Sequence, residues 1–321
     1  MKKVILSVLA VAALASCVQN EVVNPQLAID FGTPLVSNTT KATDPSYGQN
    51  GVALTAFNVY GTVEGSGNGV VNIFDGALVE GSIGQNVWSC DVKQYWIPGA
   101  TYNFAAVVDA TVGKNANNMP ETLTTVANDE DYLKDMLYAF NGPITAGETN
   151  DAVNFNFKHL LAKAQFVVTS TTEEGYYYNV EEIKINNFAS GTYTIATKLW
   201  NKGEAKAYVL GSIEDLSAAN TNVTSDKQVL LIPTATAFTV EYLVKLYNSN
   251  GTADKTDDVL LRTIDKTSAN AQVVEIKNNN DEIIGIQGGY AYNFNLALTA
   301  GSEIQFTVTD QPTWADGGAN L

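Results

Sequence analysis

The chain has 321 residues, 45% of them hydrophobic, and its formal net charge at pH 7 is −16. At about 150 residues per domain, this length predicts two domains, each large enough to bury a hydrophobic core. The excess of carboxylates argues against nucleic acid as a partner, because a phosphate backbone is repelled by an acidic surface.

The N-terminus has the features of a secretory leader. Lys2 and Lys3 precede an uncharged apolar run over residues 4–15. That run is shorter than the about 20 residues that a membrane-spanning helix needs. It ends in Leu-Ala-Ser followed by Cys17, an order that resembles the lipobox of bacterial lipoproteins. We therefore predict a signal peptide over residues 1–16 and lipidation of the Cys17 thiol.

Acyl chains such as palmitate on Cys17 would hold the mature protein to a membrane, since each buried methylene contributes about 0.8 kcal/mol. Val18 stands where an inner-membrane retention signal usually has Asp, so the outer membrane is favoured. The alternative is an ordinary signal peptide followed by a chance cysteine. If Cys17 is acylated, Cys90, the second cysteine, has no partner for an intrachain disulfide.

Alternating apolar and polar residues, rich in Val, Ile, Thr, Tyr and Phe, predict short β-strands along most of the chain. Clusters of Gly, Asn and Ser, such as residues 64–69 and 278–281, separate them. Short strands with closely spaced turns are typical of β-sandwiches, so we predict an all-β protein. Strands are predicted at 27–31, 53–60, 102–108, 165–169, 180–185, 238–246, 291–298 and 304–309.

One stretch, residues 128–140, has the features of a helix. Asn128 is a suitable N-cap, and acidic residues follow it in what would be the first turn. Leu133 and Leu137 are spaced four apart, as on one helix face. The alternative is that the stretch ends in an extended segment.

A short motif occurs twice. Residues 99–104 and residues 289–294 share the pattern G-x-x-Y-N-F, and each opens a predicted strand. The repeat indicates two related sandwiches. We place their boundary near residue 160, with an N-terminal domain over 42–160 and a C-terminal domain over 161–321.

Residues that could support catalysis are few. His159 is the only histidine and lies in an apolar stretch, which favours a packed or capping role over that of a base. No G-x-S-x-G surrounds a serine, and no zinc motif is present. The acidic clusters lack the spacing of a calcium loop. We therefore predict no catalytic residues, no metal and no cofactor, while paired carboxylates for glycoside hydrolysis remain the enzymatic alternative.

Aromatic residues offer a second kind of site. Trp88, Trp96, Trp200, Trp314 and the run Tyr176-Tyr-Tyr178 could stack on sugars. Core packing and cross-strand pairing are the commoner uses of such residues, so a glycan-binding surface is kept as the alternative.

Several segments together resemble fimbrillin-type pilins, the subunits of type V pili. The similar segments, in chain order, are Tyr95-Trp-Ile-Pro-Gly-Ala-Thr-Tyr-Asn-Phe-Ala-Ala-Val107, Asp135-Met-Leu-Tyr-Ala139, Val153-Asn-Phe-Asn-Phe-Lys-His-Leu-Leu-Ala-Lys-Ala-Gln-Phe-Val167, Leu230-Leu-Ile-Pro-Thr234, Gly289-Tyr-Ala-Tyr-Asn-Phe294 and the terminal stretch from Ile304 to Trp314. The resemblance covers most of the chain. It implies two tandem transthyretin-like β-sandwich domains and a structural role for His159.

The resemblance also implies a route to function. Such pilins reach the outer membrane as lipoproteins, and a trypsin-like protease then removes the lipid with the first strand. Removal of that strand leaves an open groove. A strand from another copy or another pilus subunit then fills the groove, a step called donor-strand exchange. The product is a cell-surface fimbrium that supports adhesion to a host or bacterial surface ligand.

The removed strand would carry Leu27, Ile29 and Phe31, within a lipidated pro-segment over residues 17–41. Cleavage is expected between Lys41 and Ala42.

The choice of cleavage site follows from the scarcity of basic residues. Lys41 is the only basic residue between the leader and Lys93, and Arg262 is the only arginine. A strictly arginine-specific protease therefore could not make this cut, which departs from the best-known family members.

The donor strand is expected at the C-terminus, over residues 304–321, with Ile304, Phe306 and Val308 as the groove-facing residues. The alternative function is a permanently lipidated outer-membrane protein, either a pilus anchor or a glycan- or host-binding module.

Overall fold

A computed structural model describes residues 27–36, 46–47, 52–65, 67–82, 88–127, 133–217, 222–225, 227–299 and 305–310. These ranges contain no α-helix and only two 3-10 turns, Lys255–Asp257 and Ser268–Asn270. The all-β prediction is confirmed. Within the same ranges, no helix is long and apolar enough to span a membrane.

The strands are short to medium in length. Those up to residue 160 are β1 (Leu35–Val36), β2 (Ser46–Tyr47), β3 (Val52–Ala53), β4 (Ala56–Gly65), β5 (Asn68–Glu80), β6 (Ser89–Cys90), β7 (Thr101–Val108), β8 (Thr111–Lys114), β9 (Pro120–Val126), β10 (Leu137–Thr145) and β11 (Asn156–His159). Those beyond it are β12 (Ala162–Thr171), β13 (Tyr176–Phe188), β14 (Ser190–Thr194), β15 (Leu199–Lys202), β16 (Ala205–Leu216), β17 (Asn222–Thr224), β18 (Val229–Leu231), β19 (Phe238–Asn248), β20 (Val259–Lys266), β21 (Gln272–Val274), β22 (Ala291–Thr299) and β23 (Gln305–Asp310).

The N-terminal half is organised by a seven-stranded sheet in the order β1-β11-β10-β7-β4-β5-β6. One face of this sheet packs on a hydrophobic cluster that includes Phe31, Phe57, Phe104 and Phe155. The period-two alternation of β4 and β7 puts Phe57 and Phe104 on this face, as the sequence pattern predicts.

The C-terminal half contains two five-stranded sheets. One has the order β17-β12-β22-β23 with β18 beside β12, and the other has the order β16-β13-β19-β20 with β21 beside β19. Their apolar faces contribute to a second hydrophobic cluster, which includes Phe166, Val180, Tyr242 and Phe294. β12 and β22 pair in parallel over their length, a long-range pairing that sequence alternation does not specify.

A four-stranded sheet, β15-β14-β9-β8, takes strands from both sides of residue 160. Thr124 of β9 lies opposite Thr192 of β14, and their hydroxyl oxygens are 2.8 Å apart. The second hydrophobic cluster likewise includes Leu123 and Met136 from the N-terminal half. The boundary near residue 160 therefore stays a prediction.

The helix predicted over 128–140 is wrong for the described part of that stretch. Residues 133–136 have no regular structure, and residue 137 begins β10, while 128–132 lie outside the described residues. Leu137 is fully buried opposite both Val108 and His159. Pairing on both edges outweighs a local helical preference, so the extended alternative is the one observed.

The repeated G-x-x-Y-N-F motif has a repeated structure. Gly99 and Gly289 both have a φ of 80°, in the left-handed region that glycine adopts without a steric penalty. The backbone N–H of Ile97 donates to the Tyr102 hydroxyl at 2.7 Å, and that of Gln287 donates to the Tyr292 hydroxyl at 3.0 Å. Each turn is therefore held by its own tyrosine at the start of β7 or β22.

Candidate functional site

The N-terminal segment, residues 27–36, occupies a groove and is bonded on one side to residues 88–96. The N–H of Ile29 donates to the Gln94 carbonyl at 2.8 Å, and the N–H of Trp96 donates to the Leu27 carbonyl at 2.9 Å. Farther along, the N–H of Trp88 donates to the Phe31 carbonyl at 2.8 Å. The predicted strand at 27–31 is thus present as antiparallel bridges rather than as a continuous strand.

The opposite edge of the N-terminal segment is bonded to residues 153–157. The N–H of Gly32 donates to the Val153 carbonyl at 3.0 Å, and the N–H of Val153 donates to the Asp30 carbonyl at 2.8 Å. The pairing continues in parallel as β1 beside β11. Because the segment is bonded along both edges, its removal would leave two rows of backbone groups without partners in the groove.

The side chains of the N-terminal segment alternate between core and solvent. Ile29 and Phe31 are buried, while Ala28 and Asp30 are exposed. Leu27, the first apolar residue of the strand predicted to be removed, is 41% exposed. Val36, which the sequence analysis did not single out, is buried at the other end.

Phe31 lies at the centre of an aromatic cluster. Its ring centroid is 5.5 Å from that of Phe74, 6.1 Å from Phe155 and 6.3 Å from Phe104. Phe57 completes the cluster at 6.4 Å. Withdrawal of this one side chain would therefore open a cavity bounded by aromatic rings.

The C-terminal strand β23 has the same alternation but a different setting. Phe306 and Val308 are half-buried, and the residues between and beside them are exposed. The Phe306 ring stacks on Tyr242 and on Phe294, with centroids 6.2 and 6.4 Å away. Ile304 lies outside the described residues.

In its own sheet, β23 is an edge strand whose described partner is β22. It is thus held along one edge, whereas the N-terminal segment is held along both. An edge strand loses fewer hydrogen bonds when it leaves its sheet.

The other predicted site residues are placed as follows. Cys17, Lys41 and Ala42 lie outside the described residues. His159 is buried in β11, and its Nδ1 lies 2.8 Å from a carboxylate oxygen of Asp135, which is also buried. The sequence did not predict the pairing of Asp135 with His159, because nothing local connects the two residues. Within the described ranges, no group of three metal-ligating side chains could hold a metal ion.

Comparison with known proteins identifies relatives of the chain. A model of the fimbrillin-like family matches residues 40–312. A comparison with curated proteins finds no match.

Solved structures resemble the chain as well. A fimbrial protein from Bacteroides vulgatus superposes with a TM-score of 0.61 at 13% identity, covering 88% of this chain and 98% of the other. A candidate cell adhesion protein from Bacteroides ovatus has a TM-score of 0.49 at 11% identity, covering 89% and 96%. The fimbrial anchor protein Mfa2 from Porphyromonas gingivalis has a TM-score of 0.38 at 12% identity, covering 88% and 97%. The first of these similarities shows a shared fold.

Proposed function

The chain belongs to the fimbrillin-like family, and on that premise we propose that it is a structural subunit of a cell-surface fimbrium that assembles by strand exchange. The observation that carries the proposal is the seating of the N-terminal segment. This segment is bonded along both edges and places Phe31 in the aromatic cluster. Nothing in the proposed role requires catalysis.

Removal of the N-terminal segment would create an acceptor for another strand. The exposed edges would be the backbone of residues 88–96 and of residues 153–157. Main-chain hydrogen bonds to these edges would supply affinity. The cavity vacated by Ile29 and Phe31 would set the register, because a shift of one residue would turn apolar side chains toward solvent.

The donor in this proposal is the C-terminal region, residues 304–321, of another copy or another pilus subunit. Phe306 and Val308 repeat the spacing of Ile29 and Phe31, and Ile304 would extend the series. When β23 leaves its own sheet, Tyr242 and Phe294 lose a stacking partner. Exchange therefore replaces the aromatic contacts of Phe306 in its own sheet by contacts with the aromatic cluster of the groove. The exchanged state is favoured because the donor strand is hydrogen-bonded along both edges there and along one edge in its own sheet.

Lipidation and cleavage would control when exchange occurs. An acylated Cys17 would tether the precursor to the outer membrane while residues 17–41 keep the groove filled. Cleavage between Lys41 and Ala42 would free the N-terminal segment. Two tandem transthyretin-like sandwiches, over 42–160 and 161–321, are the domain organisation that we propose for the processed subunit.

The N-terminus of the protein on intact cells tests this scheme. Mass spectrometry would be applied separately to the sheared, high-mass fraction and to the envelope fraction. An N-terminus at Ala42 in the sheared fraction is the expected result. Acylated Cys17 in every copy would instead support the alternative of a permanently lipidated anchor or of a glycan- or host-binding surface protein.

A further inference from the structure

A cleft of about 640 Å³ lies between the seven-stranded sheet and the four-stranded sheet. Its floor is the sheet face opposite the aromatic cluster, and it carries Tyr138 and Phe140 from β10 with Asn156 and Lys158 from β11. Tyr138 and Lys158 are direct cross-strand neighbours. The volume lies within the range of pockets that hold small ligands, and regular strands fix the positions of the floor residues.

The chemistry of the lining combines aromatic rings with amides. Phe140 is 52% exposed although its ring is large and apolar. Asn103 and Asn156 supply amide groups, each of which can both donate and accept hydrogen bonds. Sugars present a C–H face to aromatic rings and hydroxyls to donors and acceptors. The lining thus suits a carbohydrate better than a purely apolar ligand.

Tyr138 adds a hydroxyl donor to the cleft. Burial and the neighbouring Tyr193 raise the pKa of Tyr138 to about 12. A tyrosine hydroxyl is protonated near neutral pH even without this shift, so it can donate a hydrogen bond.

The charge of the cleft is opposite to that of the chain. The chain has 34 acidic residues, yet none of the residues that line the cleft is Asp or Glu, and Lys158 and Lys198 are among them. Neither ammonium forms an ion pair with the residues that the structure describes. Two cations in an otherwise uncharged cleft favour a ligand that carries a negative charge.

Lys198 has an unusual backbone for its residue type. Its φ is 58°, in the left-handed region that non-glycine residues rarely adopt. Its N–H donates to the Thr194 carbonyl at 2.8 Å, which closes the turn between β14 and β15. A lysine in a backbone conformation that favours glycine, among the residues that line a cleft, points to a role for its side chain there.

Sugar-binding groups and cations together favour a carboxylated sugar over a phosphorylated ligand. Phosphate sites commonly combine lysine or arginine with a series of backbone N–H groups at a glycine-rich turn or a helix N-terminus. The residues lining this cleft include neither arginine nor glycine. We propose that the cleft binds an acidic glycan, with Lys158 and Lys198 contacting the carboxylate and Phe140 and the asparagines contacting the sugar ring.

The proposal can be tested by fluorescence, because the cleft residue Tyr193 packs against Trp200 with ring centroids 5.4 Å apart. The purified full chain would be titrated with 3′-sialyllactose and with digalacturonate, two acidic probes, and with lactose as the neutral probe. We expect saturable binding of at least one acidic probe. In the variant with Lys158→Ala and Lys198→Ala, binding should weaken at least about tenfold.

A matched control removes the same charge elsewhere. The variant with Lys255→Ala and Lys277→Ala changes exposed lysines outside the cleft and should bind as the wild type does. Absence of saturable binding of either acidic probe would overturn the proposal. So would binding that survives the loss of both cleft lysines, or lactose binding of equal affinity. Because the test uses monomeric protein, it is independent of strand exchange.

Discussion

The rings of Phe31 and Phe155 lie stacked, 6.1 Å apart with an angle of 17° between their planes. One ring belongs to the segment proposed to leave the protein, and the other belongs to the wall of the groove that it fills. The same contact therefore stabilises the folded precursor and must be broken before the proposed assembly.

The first prediction concerns that contact. Phe31→Ala should lower the free energy of unfolding by about 3–5 kcal/mol, because it leaves a cavity in a fully buried aromatic cluster. Leu27→Ala is the matched control, since Leu27 is 41% exposed and should change stability by no more than about 0.5 kcal/mol. Urea unfolding of both variants measures the difference, and equal losses would contradict the placement of the segment.

The second prediction concerns the donor strand. Deletion of residues 304–321 should leave a soluble monomer that cannot polymerise, and normal filaments from this variant would rule out the C-terminal donor. The paired substitutions Phe306→Asp and Val308→Asp should also block assembly, because charges cannot enter an apolar groove. Thr307→Asp with Thr309→Asp alters the exposed face of the same strand and should still assemble in electron micrographs.

The third prediction concerns the buried pair of His159 and Asp135, whose side chains are 2.8 Å apart. Removing either partner leaves a buried polar side chain without this contact, which should cost about 1–3 kcal/mol. The double variant His159→Asn with Asp135→Asn should cost less than the sum of the single variants. Asp30→Asn, at an exposed position, is the control. Additive losses in thermal unfolding would mean that the two residues are not coupled.

The fourth prediction concerns the repeated turn. Tyr102→Phe removes the hydroxyl that accepts from Ile97, and Tyr292→Phe removes the one that accepts from Gln287. Each variant removes one hydrogen bond at a partly exposed position, so each should lose about 0.5–1.5 kcal/mol. Tyr95→Phe, on an exposed ring, should lose little. A large loss in one variant and none in the other would show that the turns are not equivalent.

The fifth prediction concerns alkaline pH. Burial raises the pKa of Tyr242 to about 12, compared with about 10 in an unfolded chain. Because the folded-state pKa is raised, the contribution of neutral, buried Tyr242 to the free energy of unfolding is fully present below about pH 10. This contribution is lost as the pH rises through about 12. The free energy of unfolding should therefore fall less steeply over this interval in Tyr242→Phe than in the wild type. Parallel curves would show that Tyr242 does not contribute.

Local sequence was sufficient for the all-β fold and for much of the strand assignment. β7, β12, β13, β19 and β22 each contain a strand that alternation predicted. This succeeds because a strand that packs one face on a core shows the period of two in its own residues. The G-x-x-Y-N-F repeat could also be recognised from the sequence alone, because the turn glycine, the tyrosine and the backbone donor lie within a few residues of one another.

Pairing between distant parts of the chain was decided only by the tertiary structure. Leu137 enters a sheet rather than a helix because β7 and β11 lie on its two sides. Asp135 meets His159, and Phe31 meets Phe155, through chain folding that no local pattern specifies. The cleft lined by Lys158 and Lys198 also could not be predicted from the sequence. Residue type and spacing determine which face of a strand is apolar, but the groove and the cleft exist only after the sheets have packed.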